Sequence, residues 1–155
     1  MPTPYFGINA TKENNPELGE RVVRGAALAG DVVVFTDQYT LLGTEAATEE
    51  IYIHRNRSGL RLIPHLSAVI AENPGTTLVM DIGDDEDTDK YADGLDVSAG
   101  GTFLFSAAPG VHQQDPVWTT DTGEQGDWVK VTIASAASLT ADQKIRFELV
   151  YAANS

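Results

Sequence analysis

Residues 145–151 place Ile145, Phe147, Leu149 and Tyr151 on one parity and Arg146, Glu148 and Val150 on the other. A side-chain period of two belongs to an extended strand, because successive Cβ atoms point to opposite faces of a pleated sheet. The period recurs at Val129, Val131 and Ile133 against Trp128, Lys130 and Thr132, and again at Leu78, Met80 and Ile82. Residues 32–35, Val-Val-Val-Phe, are β-branched and aromatic and lie between Gly30-Asp31 and Thr36-Asp37. They read as a strand bounded by turns. Short strands with one buried face must stack that face on a second sheet.

Other segments agree. Val22-Val23, residues 102–105, and Pro116-Val117-Trp118 are short candidates, and Ile51 and Ile53 alternate with Tyr52 and His54. Leu60, Leu62, Leu66, Ala68 and Ile70 share one parity along a run that Pro64 interrupts, which predicts an edge or a bulge there. Asn73-Pro74-Gly75 has Pro and Gly in the order of a type II turn, so the strands on either side of it are predicted to pair as a hairpin. Helix is limited to a turn or two over residues 44–50, with Thr44 as cap, and one turn over residues 87–94. The fold class expected is all-β, an antiparallel β-sandwich or jelly roll. One domain over residues 20–155 follows an extended N-terminal arm, residues 1–19, that Pro2, Pro4 and Pro16 keep from pairing regularly. Tyr5, Phe6 and Ile8 are the arm's candidate anchors on a neighbouring subunit.

A chain of 155 residues fits one domain and buries about 68–70% of its unfolded surface, enough for a core without staples. It has no cysteine, so disulfides and zinc–thiolate sites are excluded. The N-terminus lacks the basic start and apolar run of a signal peptide, and no stretch has the apolar length of a membrane span. With 23 acidic and 10 basic side chains the net charge is −13, a field that repels nucleic acid and anionic lipid.

The charge is concentrated. Residues 81–96 hold eight carboxylates and one lysine, a net −7 of that −13. Counted from Asp85, oxygen donors fall at positions one, three, five, nine and twelve: Asp85, Asp87, Asp89, Asp93 and Asp96. That is the spacing of a calcium loop, but Lys90 stands where the loop needs glycine and Asp96 where it needs a longer glutamate. The alternatives are a solvated acidic turn or an interface. Residues 54–65 carry Arg55, Arg57 and Arg61 with His54 and His65 and no acid, so this segment and Asp84, Asp85 and Asp87 form two patches of opposite sign. Catalytic motifs are absent: the three histidines are dispersed, and no Gly-x-Ser-x-Gly, phosphate-cradling glycine loop or His-Glu-x-x-His occurs. Trp128 is expected to pack on a sheet rather than serve as a sugar platform. The chain is therefore read as a non-enzyme without a cofactor.

From residue 60 onward the order of features resembles small structural proteins of tailed bacteriophages that decorate or cement the capsid. The resemblance is carried by Ile63-Pro64-His65-Leu66-Ser67-Ala68-Val69-Ile70, by Thr77-Leu78-Val79-Met80-Asp81-Ile82-Gly83, and by the acidic stretch through Tyr91-Ala92-Asp93-Gly94 to Gly101. The closing strands, Val129-Lys130-Val131-Thr132-Ile133 and residues 144–151 ending in Tyr151, complete it. The resemblance covers two-thirds of the chain and implies an oligomeric β-sandwich, a homotrimer, made in the host cytoplasm and bound to major capsid protein on the virion exterior. It offers no catalytic residue. The alternative is a tail-associated carbohydrate- or receptor-binding module, calcium-dependent through residues 85–96. A small hydrolase ranks last for want of a site.

Overall fold

The structure, a computed structural model, describes residues 5–6, 32–55, 60–110 and 128–153. The alternating segments become β1 (Tyr5–Phe6), β2 (Val32–Thr40), β3 (Glu50–Arg55), β4 (Leu60–Leu62) and β5 (Ala68–Ala71). Then follow β6 (Gly75–Gly83), β7 (Ala92–Asp96), β8 (Gly101–Leu104), β9 (Trp128–Leu139) and β10 (Lys144–Ala153). Sheet A has the order β1-β3-β9-β6-β7, and sheet B the order β2-β10-β5-β8, with β4 also on β10. Within the described residues β1 runs parallel to β3 and all other pairs are antiparallel.

The pairs are nested. β6 pairs with β7, β5 with β8, β3 with β9 and β2 with β10, so each pair encloses the one before it in sequence. Successive pairs fall alternately in sheet A and sheet B. One long antiparallel ribbon has been rolled on itself, which is the eight-stranded jelly roll. Its innermost connection is the acidic segment between β6 and β7. The expected all-β sandwich is thus the fold. Of the arm, residues 5–6 are extended along β3, while Ile8 lies outside the described residues.

The two inner faces supply the core. Ile51, Leu78, Met80, Ile82, Val131 and Ile133 of sheet A meet Tyr39, Leu62, Val69, Ile145, Phe147 and Leu149 of sheet B. Each large aliphatic or aromatic side chain so buried contributes about 1.5–3 kcal/mol. No helix among the described residues is long and apolar enough to cross a membrane.

Several expectations are corrected, four of them in the strands and their connections. Asn73-Pro74-Gly75 makes no hairpin, because β5 belongs to sheet B and β6 to sheet A. The turn crosses between sheets instead, with Thr140 N–H donating to Pro74 O at 2.9 Å. Gly75 sits there at φ 132°, where a Cβ would come within 2.4 Å of Ser138 O. Residues 44–50 form no helix, because Thr48 stands at φ 75° and gives its N–H to Ile133 O at 2.8 Å, while the buried Glu45 turns back to the loop before it. Its carboxylate accepts from Leu42 N–H (2.5 Å), Gly43 N–H (2.9 Å) and Tyr39 O–H (2.8 Å). Residues 87–94 form none either, and for the same kind of reason, given below. Fourth, His54 does not share the outward parity of Tyr52. A bulge between Tyr52 and His54 turns the imidazole inward, stacked on Phe35 with centroids 4.2 Å apart.

Pro64 starts a one-turn 3₁₀ helix, Pro64–Leu66, in place of the predicted edge or bulge. It lifts the chain off β10 between β4 and β5 and shifts the phase, so that Leu66 is exposed while Val69 and Ala71 are buried. The excursion deprives Val150 N–H of a ladder partner. Ser67 replaces it: its buried Oγ accepts from Val150 N–H at 3.0 Å and donates to Ile63 O at 2.9 Å. Replacing Ser67 with alanine leaves a buried donor unpaired, a cost of about 1–3 kcal/mol. Urea unfolding of Ser67→Ala is expected to show a lower midpoint at unchanged slope; an unaltered midpoint contradicts this role.

Candidate functional site

The β6–β7 connection is built around one carboxylate. Asp84 is buried, and its Oδ1 accepts from Glu86 N–H and Asp87 N–H, each at 3.0 Å. Its Oδ2 receives Lys90 Nζ at 2.7 Å and Tyr91 O–H at 3.5 Å. Asp84 N–H donates in turn to Asp87 O at 2.9 Å. The backbone donors that a helix over residues 87–94 would need go to β6 instead: Tyr91 N–H donates to Ile82 O and Gly94 N–H to Asp81 Oδ1, each at 2.8 Å. The turn folds back over Gly83, where a Cβ would lie 2.0 Å from Asp87 O. Only a residue without a side chain permits that return.

Gly83 stands beside Lys130 in the ladder, and Lys130 beside Tyr52. On this outer side of sheet A, Lys130 Nζ lies 2.9 Å from Glu50 Oε1 and 3.4 Å from Asp85 Oδ1. Tyr52 meets Trp128 edge-on at 5.5 Å, and Arg55 lies over the Trp128 ring at 5.1 Å. Trp128 N–H donates to Asp85 Oδ2 at 3.3 Å. The alternation had assigned Trp128 and Lys130 to a wetter face. Both are buried, because the two carboxylates neutralise the ammonium and the rings cover the indole. Burial works against the charge on Lys130, but the hydrogen bond and charge of Glu50, with Asp85, outweigh it and hold its pKa above the ordinary value. Burial and the Glu50 charge likewise raise Tyr52, which stays a neutral donor to Glu50 at 3.2 Å.

The residues singled out from the sequence are dispersed among different tasks. Asp84 points inward and organises the turn, Asp85 faces Lys130, and Asp87 is exposed on the tip. Arg55 joins the Trp128 cluster, Arg61 lies in β4 on sheet B, and Arg57 is outside the described residues. The five carboxylates of the calcium spacing are not gathered into one cluster, although Asp87 and Asp89 are neighbours. Asp87 Oδ1 accepts from Asp89 N–H, Asp93 O accepts from Gly110 N–H, and Asp96 Oδ1 accepts from Ser98 N–H and Oγ–H. Among the described residues no three His, Asp or Glu are arranged to hold a metal ion. The Glu50–Lys130–Tyr52 cluster escaped the sequence reading. Its members are 80 positions apart, and only the β3–β9 register brings them together.

With this geometry in view, no family model matches the chain, and no curated protein matches it. In structure it is similar to a chain of the capsid of Ralstonia phage GP4, with 19% identity and a TM-score of 0.60. That match covers 87% of this chain and 92% of the other. It is also similar to a chain of the cyanophage Pam1 capsid asymmetric unit, with 17% identity and a TM-score of 0.53, over 90% and 96% of the two chains. At these identities the likeness is one of fold.

Two predictions follow the charges. In Lys130→Met, Glu50 and Asp85 lose their shared cation, and stability at neutral pH is expected to fall by about 1–3 kcal/mol, the half-exposed Asp85 counting least. Lys130 has a raised folded pKa, so its stabilisation is present below the ordinary lysine value of about 10.4 and is lost as pH rises through the folded value. The gap between wild type and variant in urea unfolding should therefore close at strongly alkaline pH. A gap constant up to that range contradicts the assignment. The second concerns the tip. Asp96 is held below the ordinary range by the Ser98 hydroxyl and amide, while Asp89 is raised by its hydrogen bond with Asp87, by partial desolvation and by neighbouring carboxylates. Asp96 thus stabilises the fold above about pH 4 and ceases to as pH falls through its folded value. Asp89 does the reverse, stabilising at low pH and ceasing to as pH rises through its own. Carboxyl NMR titration should order them Asp96 below Asp89, and Ser98→Ala should return Asp96 to the ordinary range.

Proposed function

We propose that this chain is a structural protein of a bacteriophage virion, a capsid decoration protein that binds major capsid protein on the shell exterior and stabilises it as a homotrimer. The observation that carries this reading is the likeness of fold to two phage capsid chains along more than nine-tenths of their length. The resemblance seen in the sequence from residue 60 onward points the same way, and it rests on motifs rather than on shape. The polar groups described support a structural part. Asp84, Glu45 and Ser67 spend their hydrogen bonds on loops and ladder gaps, and Lys130 spends its charge on Glu50 and Asp85.

A rolled ribbon with two covered sheets is stiff, as a protein must be that holds neighbouring subunits at a fixed spacing. The arm adds a further surface: residues 5–6 continue sheet A beyond β3, by backbone pairing that does not depend on side-chain identity. The reading assigns the chain no reaction and no cofactor, nucleic acid or membrane as partner.

The test is co-sedimentation with shells of the virus that encodes the chain. The expected result is saturable binding at a fixed ratio to major capsid protein, with a higher melting temperature for decorated shells. Absence of the chain from the shell pellet at saturating concentration overturns the reading. Removal of residues 1–19 is expected to weaken shell binding at little cost to the melting temperature of the free chain.

A further inference from the structure

The outer face of sheet B is unlike the rest of the molecule. Its composition follows from the register. One row across the sheet holds Gln38, Arg146, Ile70 and Thr102, and the next holds Thr36, Glu148, Ala68 and Leu104. Beyond them lie Val34 beside Val150, and Val32 beside Ala152 and Arg61. Val32 is 58% exposed, Val34 55% and Leu104 46%, and Leu66, in the turn that joins β4 to β5, is 57% exposed. Lys144, Arg146 and Arg61 give this face three cations in a chain with ten, against two carboxylates: Glu148, 3.6 Å from Arg146, and Glu72, which accepts from Lys144 N–H at 3.0 Å. The face is apolar with a basic rim. The chain's net charge is −13, so a face on which cations outnumber carboxylates stands apart from it.

The opposite sign is presented at the β6–β7 turn. Asp85, Glu86, Asp87, Asp89 and Asp93 are exposed there, and the lysine of that segment, Lys90, is drawn inward onto Asp84. The turn holds its shape through Asp84, so these carboxylates are displayed on a fixed frame.

We propose that the outer face of sheet B receives the β6–β7 turn of a second copy of this chain. The proposal rests on the assembling role given above and names the surfaces. A pairing that set each patch on its own copy would bring acid on acid or cation on cation, at a cost in repulsion, whereas a contact of turn on face is complementary. A head-to-tail contact sets acid on base, and repeated around an axis it closes a ring, as a trimer requires. Val32, Val34, Leu66 and Leu104 supply apolar area to be covered, and Arg61, Lys144 and Arg146 set the register.

The test uses the full chain with two charge-reversed variants at exposed positions. The face variant carries Lys144→Glu and Arg146→Glu; the tip variant carries Asp87→Lys and Asp89→Lys. Circular dichroism and melting first establish that both keep the fold. In sedimentation equilibrium at low salt, wild type should be oligomeric, and each variant alone should associate about ten-fold more weakly or worse. Mixing the two, which restores complementary charge wherever unlike chains meet, should recover a heavier species. A face variant with the mass of wild type, or a mixture no heavier than its parts, overturns the proposal. A wild-type chain that is monomeric yet co-sediments with shells also overturns it and leaves the capsid reading standing. Association through these surfaces without shell binding does the opposite.

Discussion

A ribbon rolled from nested strand pairs has one innermost turn that all the other pairs enclose, and here a buried carboxylate holds that turn. The β6–β7 pair is local in sequence, whereas the β2–β10 pair joins Val32 to Ala152. Each inner pair, once formed, shortens the loop that the next pair must close. Asp84 fixes the innermost connection by gathering two backbone amides, one ammonium and one phenol onto a single side chain. The acidity of the surrounding segment is then a surface matter. One aspartate of the run builds the turn, and its neighbours face water or Lys130.

The same economy recurs wherever the ladder is broken. Ser67 bridges the gap that the Pro64 excursion opens on β10, and Glu45 ties the loop after β2 to Tyr39. Lys130 is buried on the outer side of sheet A because Glu50 and Asp85 neutralise it there. Such groups are costly to bury alone and specific when satisfied, so they pin loops in one geometry more than they add net stability. A scaffold whose loops are pinned in this way displays its outer faces at fixed positions. That property joins the fold to a structural role in an assembly.

Much of this was legible in the sequence. Alternation at residues 78–82, 129–133 and 145–151 located strands and their inward parity, since a period of two is dictated by the pleat itself. Partner choice was not legible. Residues around Asn73-Pro74-Gly75 have the chemistry of a turn whether the next strand stays in the sheet or crosses to the other. Parity also failed where the backbone departs from the pleat, at the Tyr52–His54 bulge and at Pro64. The acidic segment was conspicuous as charge, yet the separate part played by Asp84 depends on Gly83, whose missing side chain lets the turn fold back. The Lys130 cluster needed the β3–β9 register, which no local pattern encodes.

Amide hydrogen exchange at Glu86 and Asp87 tests this account most directly. Both residues are exposed at the tip of a turn, where unprotected amides exchange at nearly the unfolded rate, yet both N–H groups are given to a buried carboxylate. The account predicts slow exchange at both positions in the wild-type chain and fast exchange in Asp84→Ala. Amides that exchange freely in the wild type would contradict the claim that Asp84 holds the point on which the ribbon is rolled.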